Sequence, residues 1–97
     1  MHTRFVMFTL GEGKRDTAKE IAGQFEDAMK DLNGYKGSTF IADEKVGEYG
    51  VLSMWESAQD AKQADASLAP DFFKTLNGHV QRAPIRRILE VFEPNKD

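Results

Sequence analysis

Four stretches of the chain carry apolar, aromatic and β-branched residues in short runs bounded by turn-forming residues. They are residues 3–10, 36–43, 48–56 and 85–92. Runs of this length and composition predict β-strands. Only four residues, 44–47, separate the second run from the third, so these two strands are expected to form a hairpin.

A helix is predicted between the first two strands. Apolar residues recur there at spacings of three and four, which places them on one helical face. Thr17 and Glu20 fit a capping box at its start, and Asn33-Gly34 is a typical stop. The inner face predicted by this spacing consists of Ala18, Ile21, Ala22, Phe25, Ala28, Met29 and Leu32.

A second helix is predicted after the third strand, with Ser57 as its cap. Its inner face is unusually small, so this helix either packs close to the sheet or leaves space above it; the face consists of Ala58, Ala61, Ala64 and Leu68. A short third helix is expected to begin at Pro70, because proline is tolerated in a first helical turn, and to end at Asn77-Gly78. The last residues, 94–97, are expected to be frayed.

The order of these elements is β-α-β-β-α-β, which predicts a ferredoxin-like α+β fold with a four-stranded antiparallel sheet. The length of 97 residues fits a single domain, 1–97. Both faces of the predicted strands are apolar, since Phe5 and Met7 alternate with Val6 and Phe8 in the first. Two helices can cover only one face, so a homodimer through the other sheet face is expected.

Composition narrows the class of protein. The formal net charge of −3 disfavours nucleic acid and anionic membranes as partners, since both usually require a basic surface. The chain has no cysteine, and its first apolar run is too short for a signal peptide or a membrane span. A cytoplasmic location is therefore expected.

Few residues are suited to catalysis. No paired ligand spacing for a metal, no phosphate-binding loop and no nucleophile motif appears, so no metal and no cofactor is expected. His79 can act as a general base, or it is an ordinary loop histidine. Trp55 can donate a hydrogen bond to a substrate oxygen, or it is a core residue. A substrate cavity lined by Asn77, Phe73, Phe72, Met54, Met29 and Met7 is a further expectation, with core packing as the alternative for the apolar ones.

The chain resembles the antibiotic biosynthesis monooxygenase family of dimeric α/β barrels over nearly its whole length. The resemblance rests on four pieces in order: FVMFTL at 5–10, NGY at 33–35, VLSMWES at 51–57 and PDFFK at 70–74. It implies paired sheets and, in active members, oxygenation of electron-rich aromatic or quinol substrates without metal or flavin. On that reading Trp55 is the donor and His79 the base. Haem binding is not implied, because the first strand lacks an asparagine and Asn77 stands where haem-degrading relatives have histidine.

Two other classes remain open. A non-catalytic, small-ligand-binding or regulatory dimer with the same barrel has no sequence feature that separates it from an oxygenase. An RNA-recognition domain has the same element order, but its third-strand motif needs a basic lead residue and exposed aromatic residues. Here Glu48 and Val51 occupy those positions, so this class is the weaker alternative.

Overall fold

A computed structural model describes residues 1–95 of the chain. Its elements follow the predicted order, and the boundaries are β1 (His2–Thr9), α1 (Arg15–Met29), β2 (Tyr35–Asp43), β3 (Glu48–Trp55), α2 (Ala58–Leu76) and β4 (Ile85–Glu90). Each predicted strand is present, displaced by one or two residues at its ends. Of the tail expected to be frayed, residues 94 and 95 form a turn and residues 96 and 97 lie outside the described part.

The four strands form one antiparallel sheet in the order β2-β3-β1-β4. In the central pair Val6 lies opposite Val51, and Phe8 lies opposite Tyr49. All four of these side chains are buried beneath the helices. This confirms the ferredoxin-like α+β fold, because the two crossover helices lie over the same face of the sheet.

The hydrophobic core fills the space between this sheet face and the two helices. Helix α1 contributes Ile21 and Phe25, and the ring of Phe25 lies 5.0 Å from that of Phe72 on α2. The alanines of α2, Ala61 and Ala64, are fully buried. Helix α2 therefore packs closely on the sheet, which decides between the two alternatives that its small inner face left open.

The opposite sheet face has no covering element among residues 1–95. Its apolar side chains alternate with those of the core and are half-buried or exposed; they are Phe5, Met7, Ile41, Leu52, Met54, Ile85 and Leu89. Ile85 keeps 53% of its surface exposed and Leu89 keeps 36%. We call this set the open face.

Two predictions about the helices are wrong. The first concerns the start of α1: Lys14 is its N-cap and makes no side-chain capping bond, so Thr17 lies inside the helix. The second concerns Pro70, which lies within one continuous helix α2 rather than at the start of a third. Proline removes the hydrogen bond to the carbonyl four residues earlier, that of Ala66. Both residues are on the exposed side of α2, where water can replace the missing donor.

Other local predictions are confirmed. The Ser57 hydroxyl accepts a hydrogen bond from the backbone N–H of Asp60 at 3.1 Å, as a helix cap does. Asn77 is the C-cap of α2, and Gly78 follows with a positive φ of 83°. These residues fix both ends of α2 and therefore its placement over the sheet.

Candidate functional site

The largest cavity described in the chain lies between α1 and the sheet, beside β2 and β3. Its volume is about 360 Å³, near the lower end of the range for small-molecule sites. Four elements of the fold, β1, α1, β2 and β3, contribute to its wall. The lining residues are Phe8, Arg15, Ala18, Lys19, Ala22, Phe25, Phe40, Ile41, Ala42, Tyr49, Gly50 and Val51. We call this space the α1 cavity.

Small residues create the α1 cavity. Ala18 and Ala22 are four residues apart, so they lie on the same face of α1 and hold no bulk above the sheet. Gly50 lines the cavity with its backbone, because a Cβ there would point to the other sheet face and meet Ile41. Aromatic rings form the walls around this gap, and the Phe8 and Tyr49 rings stack with their centroids 6.2 Å apart. The result is an apolar space suited to a flat ligand.

The charged side chains that line the α1 cavity are both cations. Arg15 and Lys19 are four residues apart on α1 and therefore neighbours on its surface. Arg15 forms an ion pair with Glu44 in the turn between β2 and β3, and both side chains are 58% exposed. Within residues 1–95 Lys19 has no ion pair or hydrogen-bond partner for its ammonium. Two cations therefore lie at the mouth of the cavity, of which Arg15 is paired with Glu44 and Lys19 has no partner in the described residues.

A second charged cluster lies between the sheet and α2. Asp65 accepts from Arg4 Nε at 2.8 Å and from Arg86 Nη1 at 3.2 Å. Arg86 also lies over the ring of Phe73, with its guanidinium carbon 4.9 Å from the ring centroid. Arg86 therefore pairs with an acid on α2 and not with one on a neighbouring strand. This cluster joins β1 and β4 to α2.

Ionisation is perturbed at two pairs, and neither lines the α1 cavity. The hydrogen bond and charge of Lys36 lower the pKa of Glu56, and those of Glu56 raise the pKa of Lys36; the Nζ and Oε2 atoms are 2.8 Å apart. Burial lowers the pKa of Arg4, and the hydrogen bond and charge of Asp65 act in the opposite direction. Both pairs with perturbed pKa values therefore lie outside the candidate site.

Trp55 and His79, predicted as donor and base, differ in their exposure to solvent and in their hydrogen bonds. Trp55 is fully buried, and its indole N–H donates to the Ser53 hydroxyl at 2.9 Å. His79 is exposed after α2, and its backbone N–H donates to the carbonyl of Leu76 at 2.9 Å. Neither residue lines the α1 cavity. Their catalytic roles stay predictions, and the indole N–H already has a protein acceptor.

The other predicted site residues do not share one cavity. Phe72 and Met29 are buried in the core beneath the helices, whereas Met7 and Met54 lie on the open face. The alternating directions of side chains along a strand keep these two groups on opposite sides of the sheet. Phe73 is half exposed on α2 and Asn77 is an exposed helix cap. These residues therefore do not line one cavity within residues 1–95, and their role in binding a substrate stays a prediction.

The sequence analysis missed the residues that line the α1 cavity. A signal for them existed in the pair Ala18 and Ala22, four residues apart on α1. Met7 does line a smaller hollow of about 160 Å³, which lies on the open face together with Ile41 and Glu48.

The described residues contain neither a metal-binding cluster nor a membrane-spanning helix. No group of three or more His, Cys, Asp or Glu side chains in residues 1–95 is arranged to hold a metal ion. Across the same residues neither helix has the length and apolar character needed to cross a bilayer.

Comparison with known proteins gives no match by sequence, either to a protein-family model or to a curated protein. Solved structures match along nearly the whole chain. A candidate antibiotic biosynthesis monooxygenase from Nitrosomonas europaea has a TM-score of 0.76 at 10% identity, covering 98% of this chain and 93% of that one. A second candidate of that name, from Caulobacter crescentus, has a TM-score of 0.75 at 14% identity, with coverages of 95% and 90%.

A third solved structure is SnoaB, a cofactor-independent oxygenase from Streptomyces nogalater. Its TM-score is 0.73 at 12% identity, and the match covers 99% of this chain and 98% of that one. Identities of this size establish a common fold. The chain thus has the ferredoxin-like fold of the antibiotic biosynthesis monooxygenases, which confirms the fold that the resemblance implies.

Proposed function

We propose that this protein is a cofactor-independent monooxygenase-like protein that binds a small, electron-rich aromatic or quinol substrate in the α1 cavity. The observation that carries the proposal is the cavity itself, an apolar space of about 360 Å³ with aromatic walls formed by residues such as Phe8, Phe25 and Tyr49. The fold shared with SnoaB, a cofactor-independent oxygenase, supports the reaction class.

In this reaction the substrate loses a proton and its anion transfers electrons to O₂. One oxygen atom enters the product and the other leaves as water. The protein contributes an apolar cleft that orients the ring for the reaction. Arg15 and Lys19 at the mouth favour the anionic form of the substrate, because a nearby positive charge lowers the pKa of an acidic group.

One observation favours a second candidate function, a non-catalytic ligand-binding protein. The side chains that line the α1 cavity include no imidazole and no carboxylate. Proton removal in the cavity then requires water at its mouth. Such a cavity can bind an aromatic ligand without turning it over.

The proposed function includes a homodimer formed through the open face. The support is the row of half-buried apolar side chains that no helix covers, including Phe5 and Leu52 side by side on the two central strands. A second copy of this chain covers such a face with an equally apolar surface by two-fold symmetry. The dimeric barrel that the resemblance implies has this arrangement.

The test of the reaction is oxygen uptake with a panel of hydroquinones and anthrones. We expect substrate-dependent consumption of O₂ that Ala22→Trp abolishes, because the indole fills the α1 cavity. Ala28→Trp is the matched control, since it adds the same bulk on an exposed side of α1. Circular dichroism establishes that both variants are folded.

The outcomes separate the candidates. Binding of panel members without any oxygen uptake identifies the non-catalytic function. Equal uptake by Ala22→Trp and the parent protein contradicts the α1 cavity as the site. The same assay on His79→Ala and Trp55→Phe tests the two roles predicted from the sequence, and unchanged uptake in both removes them from the mechanism.

A further inference from the structure

The charged side chains that line the α1 cavity are opposite in sign to the net charge of the chain. The chain has a net charge of −3, yet the two ionised side chains lining this cavity, Arg15 and Lys19, are positive. The proposed reaction uses these cations to favour the anion of the substrate, and the same positive charge favours a ligand that already carries a carboxylate. Their presence indicates that the preferred ligand carries a negative charge of its own.

The Arg15 guanidinium forms an ion pair in which a ligand can replace the partner. Its partner Glu44 lies in the exposed turn between β2 and β3, and both side chains of the pair are mostly in solvent. Exposed ion pairs of this type contribute little free energy, because water screens the charges and both side chains lose mobility. A carboxylate on a ligand can therefore replace that of Glu44 with little loss.

Lys19 adds to the same positive region. The Lys19 ammonium has no partner within the described chain and lies one helical turn from Arg15. The N-cap residue Lys14 makes no side-chain capping bond, and Asp16 is the acid in the first turn of α1 that offsets the helix dipole.

From this arrangement we infer that the ligand of the α1 cavity is an aromatic acid whose carboxylate binds Arg15 and Lys19 at the mouth. The inference rests on the proposed function, since it names the substrate class of the same cavity. The ring lies between the aromatic walls and the small residues Ala18 and Ala22. The carboxylate accepts the paired N–H donors of Arg15, a geometry that a guanidinium and a carboxylate share.

The experiment compares two probes of one shape, 2-naphthoate and its neutral amide 2-naphthamide, by isothermal titration calorimetry. We expect 2-naphthoate to bind about tenfold more tightly, because charge-assisted hydrogen bonds are stronger than neutral ones. The double variant Arg15→Gln, Lys19→Gln removes that preference by weakening 2-naphthoate binding to the level of 2-naphthamide. Lys62→Gln is the control, since Lys62 is an exposed cation on α2 away from the cavity.

A further variant, Glu44→Gln, tests whether the ligand competes with Glu44 for Arg15. It removes the acid that competes for Arg15, so 2-naphthoate binding is expected to tighten while 2-naphthamide binding stays the same. The preference for 2-naphthoate is also expected to fall as salt is raised, as for exposed charges.

The results that overturn each claim differ. Equal binding of the two probes in the parent protein overturns the inference of an acidic ligand and leaves the cavity as a ligand site. Loss of the preference in Lys62→Gln as well shows that overall charge is responsible and also overturns it. If neither probe binds, or if Ala22→Trp binds both as the parent does, the proposed cavity function itself fails.

Discussion

Arg4 and Asp65 form an ion pair across the interior, with 2.8 Å between Nε and Oδ1, although they are 61 positions apart in the chain. The Arg4 side chain is only 4% exposed and that of Asp65 is 27% exposed. The Nη2 atom of Arg4 is buried and has no hydrogen-bond partner within residues 1–95. The pair links the central strand β1 to α2 and so helps to set the distance between this helix and the sheet.

The first prediction is that Asp65→Asn lowers the free energy of unfolding by roughly 3 kcal/mol, because it leaves a buried guanidinium without a carboxylate. Urea denaturation measures the change. Asp71→Asn, on the exposed side of the same helix, is the control and is expected to change stability by less than about 0.5 kcal/mol. Equal effects of the two substitutions contradict a structural role for the pair.

Gly47 supports a second prediction. It adopts a positive φ of 70°, its carbonyl accepts the N–H of Leu10 at 2.8 Å, and a Cβ at this position would overlap the backbone carbonyl of Gly11. We expect Gly47→Ala to destabilise the protein by about 2–4 kcal/mol, through backbone strain and steric overlap together.

Gly13→Ala is the matched control for this substitution. Gly13 has a similar φ of 78°, but a Cβ there meets open space, so the variant is subject to strain alone and loses about 1 kcal/mol. Thermal and urea unfolding of the two variants give the comparison. If Gly47→Ala is no less stable than Gly13→Ala, the contact between the two turns is not tight.

The open face supports a third prediction, on oligomeric state. Light scattering on a sizing column is expected to give the parent protein a mass near twice 10.9 kDa, or a multiple of it. Leu52→Glu places a charge beside Phe5 at the centre of this face, so we expect that variant to be a monomer. Ala66→Glu, on the exposed side of α2, should keep the parent mass. A monomeric parent at micromolar concentration contradicts the dimer.

The fold could be predicted from the chain because its signals are local and agree with one another. Strand composition, the spacing of Ile21, Phe25 and Met29, and the Ser57 cap each act within a few residues. The third helix predicted to begin at Pro70 is wrong for a non-local reason. Whether proline ends a helix depends on solvent access to the carbonyl of Ala66, which is a property of the folded chain.

The cavity could not be placed in the same way. Both helices have alanines on their inner faces, and the sequence alone does not determine which helix packs closely on the sheet. Ala61 and Ala64 allow α2 to approach the sheet, whereas Ala18 and Ala22 lie beside the bulky Phe25, which keeps a gap open under α1. The donor role predicted for Trp55 depends on its free N–H, and that group is bonded to Ser53 in the folded chain.

The last prediction concerns pH and the surface pair Lys36 and Glu56. The pKa of Glu56 is lowered by the hydrogen bond and charge of Lys36, so this carboxylate is more easily ionised in the folded chain than in the unfolded chain. A depressed folded pKa gives stability that is present above the unfolded pKa and is lost as pH falls through the folded value. Lys36→Gln should remove this acid-side loss and return the Glu56 pKa, followed by NMR titration, toward its ordinary value. Lys62→Gln should leave both unchanged, and a Glu56 pKa that does not respond to Lys36→Gln contradicts the pair.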